Sequence, residues 1–141
     1  SDAAWEISEP FEKLAVAKNL KYEREIENDL SMTGDCASVQ QMISILLDNA
    51  LKYTSENGKI FLKVYSSGKK KLIEVGNTCN TENIPDFSRL FERFYRPDNS
   101  RSKETGGTGI GLSIAKATAE AHGGTIKAEK TEGGIVFKIR F

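Results

Sequence analysis

Histidine occurs once in these 141 residues and cysteine twice, and the twenty basic side chains are cancelled by twenty acidic ones. Each scarcity closes off a class of protein. Cys36 and Cys79 stand far apart without a second pair, and His122 is the lone imidazole. Neither a zinc site nor a disulfide framework is supported, so both thiols are expected free in a reducing compartment. A net charge of zero leaves no broad electrostatic footprint for nucleic acid or an anionic membrane. No apolar run approaches the roughly 18 residues of a bilayer crossing, and the first residues carry no basic-then-apolar leader. The chain therefore reads as soluble, without direct membrane contact. What is present, 38% hydrophobic and 28% charged residues, suits a single domain over 1–141 with one core. No internal repeat, low-complexity tract or linker interrupts it.

Periodicity divides the chain. Ser8 is expected to cap a helix with Pro10 in its first turn and Phe11, Leu14, Ala15 and Lys18 on one face. Leu20, Tyr22 and Ile26 alternate with Lys21, Glu23 and Glu25, the period of a strand with one wet face, and Leu30 with Met32 suggests a shorter second strand. Asp35 is a good N-cap for the strongest helical pattern, Val39, Met42, Ile43, Leu46, Leu47 and Ala50, running through Tyr53. Ile60, Leu62 and Val64, the turn Ser66-Ser67-Gly68-Lys69 and the run Leu72 to Val75 make a hairpin. Residues 76–85, with three asparagines, a glycine and a proline, are expected to form a loop of the kind that carries ligand contacts. Phe87, Leu90, Phe91 and Phe94 fit a short helix docking an aromatic face, and the charged stretch 96–106 reads as a mobile lid. A helix from Gly109 to His122 with Ile110, Ile114, Ala117 and Ala121 inward would be stopped by Gly123-Gly124, with His122 capping rather than catalysing. Ile126 and Ala128, the turn Thr131 to Gly134, and Ile135, Phe137, Ile139 and Phe141 close a second hairpin. Strands with one wet face beside amphipathic helices argue a two-layer α+β sandwich.

The stretch with the clearest chemistry is Gly106-Gly107-Thr108-Gly109-Ile110-Gly111-Leu112, a glycine-dense loop entering a helix. Such glycines let the backbone approach a ligand, and the helix start presents N–H groups and a positive dipole end to an anion. A P-loop would need a lysine after its second glycine, and a dinucleotide fingerprint would need a strand before the first. Arg101 to Thr105 is polar and supplies neither.

Taken together, Leu46-Leu47-Asp48-Asn49-Ala50-Leu51-Lys52-Tyr53-Thr54, Leu90-Phe91-Glu92-Arg93-Phe94-Tyr95-Arg96 and Gly106 to Leu112 resemble the N, F and G2 boxes of sensor histidine kinases, in the right order, over about Asp35 to the C-terminus. The resemblance implies the Bergerat, or GHKL, fold, a mixed sheet with helices on one face. It implies binding of ATP and ADP with Mg²⁺ and transfer of the γ-phosphoryl group to a histidine. By the same resemblance Asn49 coordinates the magnesium, Lys52 reaches phosphate, Tyr53 packs beside adenine, and Arg96 meets the γ-phosphate. Gly107, Thr108, Gly109, Gly111 and Leu112 hold the phosphates at the lid and helix start. Asn49 and Arg96 are then the catalytic pair.

Two positions depart from the family pattern. Where the family reads D-x-G-x-G, with the Asp accepting from the adenine amino group, this chain has Asn77-Thr78-Cys79-Asn80-Thr81, and Ile45 replaces a first N-box asparagine. Nothing resembles the phosphoacceptor motif S/T-H-E-x-x-x-P, and His122 does not match it. The implied partners are therefore a separate dimerisation and phosphotransfer domain and a response regulator, and the implied setting is cytoplasmic in a membrane-anchored parent. Two other readings stand beside this one: a nucleotide-binding regulatory module without phosphotransfer, and a GHKL ATPase.

Overall fold

The computed structural model describes residues 1–79, 91 and 111–141. In chain order these form α1 (Asp2–Ser8), α2 (Pro10–Ala17), β1 (Lys21–Ile26), α3 (Cys36–Tyr53), β2 (Lys59–Ser67), β3 (Lys70–Thr78), α4 (Gly111–Ala121), β4 (Thr125–Thr131) and β5 (Gly134–Arg140). The strands make one mixed sheet in the order β1-β2-β3-β5-β4. Among the described strands only the β1–β2 pair is parallel, with Tyr22, Arg24 and Ile26 opposite Ile60, Leu62 and Val64. A parallel neighbour cannot be reached by a tight turn, and α3 occupies the crossover between the two strands. β2 and β3 are joined at Gly68, whose φ is +62°, and β4 and β5 at Gly133, at φ +78°.

Alternation sorts each strand into two faces. Ile60, Leu62, Val64, Ile73, Val75, Ile135, Phe137 and Ile139 point into a core closed by Met42, Ile43, Leu46, Leu47 and Ala50 of α3. The opposite face carries ion pairs, Lys59 with Glu23 at 2.8 Å and Lys138 with Glu129 at 3.1 Å. The two-layer α+β sandwich and both hairpins are as the alternation predicts. Asp35 stands at the N-cap of α3 with extended φ/ψ of −85° and 109°, and the helix runs to Tyr53 as its apolar spacing requires. Ser38 donates its hydroxyl to the Asp35 carboxylate, which holds that carboxyl below its ordinary pKa.

Five expectations are corrected. Ser8 caps nothing: it ends α1, donating Oγ to the Trp5 carbonyl at 3.2 Å, and Glu9 takes the N-cap of α2 before Pro10. On α2, Ala15 is buried while Leu14 is half exposed. Leu30 and Met32 form no strand, because Asp29, at φ +59°, turns the chain away from the sheet and Leu30 is hydrogen-bonded through both N–H and C=O to Ser1. Gly76, Asn77 and Thr78 are not loop but the last residues of β3, opposite Val136, Ile135 and Gly134. Finally, the buried stripe of α4 is Ala115 and Ala119, both 0% exposed, with Leu112 packed on the core, whereas Ile114 is 38% exposed. Two alanines let α4 lie close against the core, a fit that branched Ile114 would obstruct.

α4 ends in a Schellman motif: Gly124 N–H reaches the Ala119 carbonyl at 2.8 Å and Gly123 N–H the Glu120 carbonyl at 3.0 Å, with Gly123 at φ +75°. His122 does cap, through its side chain. Nδ1 lies 2.8 Å from the Thr118 carbonyl and Nε2 accepts the Asp35 N–H at 3.1 Å, which fits the Nδ1–H tautomer and ties the end of α4 to the start of α3. Cys36 and Cys79 are free thiols, as expected.

Candidate nucleotide site

Two described junctions tie α3 to its neighbours: the turn after α3 meets the end of β3, and the middle of α3 meets the start of α4. Thr78 makes the first junction. Its carbonyl accepts the Ser55 N–H at 2.9 Å, and its hydroxyl accepts the Lys59 N–H at 3.0 Å and lies 3.2 Å from Ser55 Oγ. The turn leaving α3 is thereby fixed to the end of β3. Ile45 makes the second. A Cβ placed on Gly111 would lie 3.2 Å from Ile45 Cγ2, so the first residue of α4 touches α3 one turn before Asn49. Residues four apart share a helix face, which places Asn49 on the stripe that runs from Ile45 along the α4 start. The replacement of the first N-box asparagine is thus an apolar packing contact.

On this frame Asn49, Lys52, Tyr53, Gly111 and Leu112 are all partly exposed. Lys52 Nζ pairs with Asp48 Oδ2 at 2.9 Å, an i,i+4 bond of a few tenths of a kcal/mol, weak enough for a polyanion to displace. Tyr53 is the last residue of α3. α4 begins at Gly111 with no acidic residue in its first turn, so no carboxylate there opposes an anion at the positive dipole end. Asn77 is 5% exposed and shares the core face of β3 with Ile73 and Val75, flanked across the ladder by Ile60 and Ile135. Its Nδ2 donates to the Thr78 carbonyl at 3.2 Å, and among the described residues no donor meets Oδ1. Cys79 follows, its N–H bonded to the Gly133 carbonyl at 3.0 Å and its thiol pKa raised by burial.

Arg96, Gly107, Thr108 and Gly109 lie outside the described residues, as do the expected 96–106 lid and nearly all of the expected 87–94 helix. Phe91 is described, in a turn, and its ring meets Phe137 edge-on at 5.9 Å. Among the described residues no group of three or more His, Cys, Asp or Glu could hold a metal. Mg²⁺ keeps several waters and takes few protein ligands beside substrate phosphates, and the hard oxygen that Asn49 would offer it is a neutral amide. Thr78 and Ser55, which build the corner, escape a sequence reading. The one available signal is that the alternation of Ile73 and Val75 continues unbroken to Asn77.

Comparison with known proteins gives this geometry a context. The family described as histidine kinase-, DNA gyrase B- and HSP90-like ATPase matches residues 34–141. A probable sensor protein, PcoS of Escherichia coli, is 35% identical over 96% of this chain and 28% of its own length. The signal transduction histidine-protein kinase ArlS of Staphylococcus aureus is 42% identical over 72% of this chain and 23% of its own length. The chain thus spans about a quarter of these curated relatives. Among solved structures, the nucleotide-free catalytic domain of the histidine kinase ThkA superposes with a TM-score of 0.84 at 30% identity, covering 99% of this chain and 90% of that one. ThkA has also been solved in complex with the response regulator protein TrrA, where 99% of this chain matches 39% of that one at 26% identity and a TM-score of 0.77.

Proposed function

The chain belongs to the family of histidine kinase-, DNA gyrase B- and HSP90-like ATPases, and from that premise we propose that it is a sensor-kinase catalytic domain that holds Mg²⁺-ATP between α3, β3 and α4. Its product would be a phosphohistidine on a separate dimerisation domain of the same parent. The single observation that carries the reading is the packing of Gly111, at a helix start with no acidic residue in its first turn, against Ile45, one turn before Asn49.

Each residue then has a task. Asn77 Oδ1 accepts from the exocyclic amine of adenine, Tyr53 flanks the base, and Lys52 exchanges Asp48 for phosphate. Asn49 contributes an amide oxygen to Mg²⁺, which supplies charge neutralisation along the triphosphate when bound. The α4 start and the glycines at 107, 109 and 111, with Thr108 and Leu112, cradle the phosphates, and Arg96 approaches the γ-phosphate. Transfer is in line: the bond from phosphorus to the β,γ-bridging oxygen breaks as the bond to an imidazole nitrogen forms, and ADP departs. Positioning and fixed dipoles carry such a reaction.

Residues 1–141 act as one domain in this reading, on the cytoplasmic side of a membrane-anchored parent whose phosphohistidine passes its group to a response regulator. Among the described residues no helix is long and apolar enough to cross a membrane. One observation favours a second reading, a regulatory module that binds nucleotide without transfer: Asn77 and Cys79 stand where the family has Asp and Gly.

Calorimetric titration with ATP and ADP, with and without Mg²⁺, tests the site. The wild-type chain is expected to bind both, with an affinity that Mg²⁺ alters, and Asn49→Ala to bind without responding to Mg²⁺. Folded protein that binds neither nucleotide would refute the reading. Binding without phosphohistidine formation on an added acceptor domain selects the regulatory module.

A further inference from the structure

Asn77 differs from a carboxylate in having two unlike ends. An Asp presents an acceptor whichever way its carboxyl turns, but an Asn turned by half a rotation presents a donor. Something must therefore choose the end that a base meets. The Thr78 carbonyl is placed to do so: it lies 3.2 Å from Nδ2 and can only accept, so it binds the NH₂ end, and among the described residues no donor meets Oδ1. That carbonyl is itself held by the Ser55 N–H at 2.9 Å. The Thr78 hydroxyl keeps Ser55 in place, lying 3.2 Å from Ser55 Oγ while accepting the Lys59 N–H at 3.0 Å. No water competes readily, because Asn77 is 5% exposed.

We infer that Thr78 and Ser55 are positioning residues that fix the Asn77 amide with its oxygen toward the ligand, and so set the preference of this pocket for 6-aminopurines over 6-oxopurines. The inference rests on the proposal that the pocket binds adenine nucleotides. Its chemistry is complementarity at one position. Adenine offers an N–H donor at C6, which Oδ1 accepts; hypoxanthine and guanine offer an oxygen there, which Oδ1 repels and a flipped Nδ2 would accept. A pocket with a fixed amide discriminates, and one with a free amide accommodates both by rotation. Thr78→Val removes the hydroxyl that anchors the Ser55 turn and leaves the shape of the side chain nearly unchanged, so the Ser55 N–H that steadies the Thr78 carbonyl is itself no longer held by the side chain.

The test compares ATP with inosine triphosphate, which differs at the C6 substituent and its adjoining ring nitrogen, by calorimetry on the whole chain. Thr78→Val is expected to lower the ratio of ATP to inosine triphosphate affinity by about 3- to 10-fold, the worth of one hydrogen bond. Thr78→Ser, which keeps the hydroxyl, is expected to retain the wild-type ratio. In an Asn77→Asp background, where the two ends are alike, Thr78→Val should leave the ratio unchanged. An equal loss for both nucleotides would make Thr78 merely structural and overturn the inference, as would the same change of ratio with Asp at position 77. Should Thr78→Val fail to fold, hydrogen exchange of the Asn77 side-chain NH₂ in the wild-type chain decides: protected protons support the inference and freely exchanging ones overturn it. A wild-type chain that binds neither nucleotide but shows protected Asn77 protons would fault the adenine reading, leaving the amide lock standing.

Discussion

Alanine at position 134 probes how closely the first residue of β5 is set against the end of β3. A Cβ there would stand 2.3 Å from the Asn77 carbonyl oxygen, 3.1 Å from its carbonyl carbon and 3.2 Å from Thr78 Cα, where ordinary contact begins at 3.4 Å. The oxygen is too near by about 1 Å, and all three atoms are backbone in the paired ladder Asn77–Ile135 and Thr78–Gly134. No side chain can swing aside, so the strands must part. Overpacking of this kind costs about 1 to 3 kcal/mol, and for a chain of this length each kcal/mol lowers the melting temperature by about 3 to 4 °C. Gly134→Ala should therefore melt about 3 to 12 °C below wild type. Gly68→Ala is the control, since at φ +62° with nothing within 4 Å it meets only the left-handed backbone cost, of about 1 to 2 kcal/mol. Melting followed by circular dichroism, with nucleotide titration at a temperature where both variants are folded, separates the effects: Gly134→Ala alone should weaken ATP binding, because it displaces Asn77. A Gly134→Ala protein that melts within about 1 °C of wild type and binds ATP normally would refute the close approach.

Three further outcomes follow from the core and the titrating groups. Met42, fully buried on α3, should cost about 2 to 5 kcal/mol on replacement by alanine, read as a lowered urea midpoint with an unchanged slope. The Asp35 carboxyl has its pKa lowered chiefly by the Ser38 hydroxyl, so its stabilising contribution is present above the unfolded value and lost as pH falls through the folded one. Asp35→Asn should flatten the acid decline in melting temperature as pH falls through and below the ordinary carboxylate range, and an unchanged slope would contradict the assignment. Tyr22, whose hydroxyl donates to the Ser8 carbonyl at 2.9 Å, has its pKa pushed up to about 12 by burial. Stability that it contributes is intact below the pKa of a free tyrosine and lost as pH rises through the folded value, so Tyr22→Phe should lessen alkaline unfolding, and ultraviolet titration should lose its last-ionising phenol.

How much of this was legible in the sequence depends on whether the deciding contacts are local. The α3 limits were readable because a cap at Asp35 and an apolar stripe to Ala50 both lie within the helix itself, and the two hairpins because turn and alternation are neighbours in sequence. The face of α4 was not, because alanine stands at 115, 117, 119 and 121, and apolar spacing alone does not say that 115 and 119 face the core while 117 and 121 are exposed. The end of β3 was misread because composition at 76–78 resembles a turn, whereas pairing with β5, some sixty residues later, keeps it in the sheet. Helix α1 was missed, since its partners are Gln40, whose Nε2 donates to the Ala3 carbonyl at 3.1 Å, and Arg24, lying 5.1 Å over the Trp5 ring. Of the candidate site, Gly111 at the start of α4 packs on Ile45, one turn before Asn49, and Asn77 sits beside Thr78, which is bonded to the turn after Tyr53; the grouping of these residues as a site comes from the resemblance to sensor kinases.

The order of the sheet has a consequence for how the protein assembles. Residues 1–78 supply three adjacent strands and the helix that covers them, and the β4–β5 hairpin then adds along the remaining edge of β3, bringing α4 against α3. The β3–β5 ladder is therefore a seam between an early and a late part of the chain, and the proposed nucleotide site straddles it, with Asn49 and Asn77 on one side and Gly111 on the other. A ligand that touches both sides acts as a rivet: it is absent from any state in which the hairpin has peeled away, and by mass action it suppresses that state before it suppresses global unfolding. Amide exchange along β3 and β5 should slow on nucleotide binding while exchange between β1 and β2 barely changes.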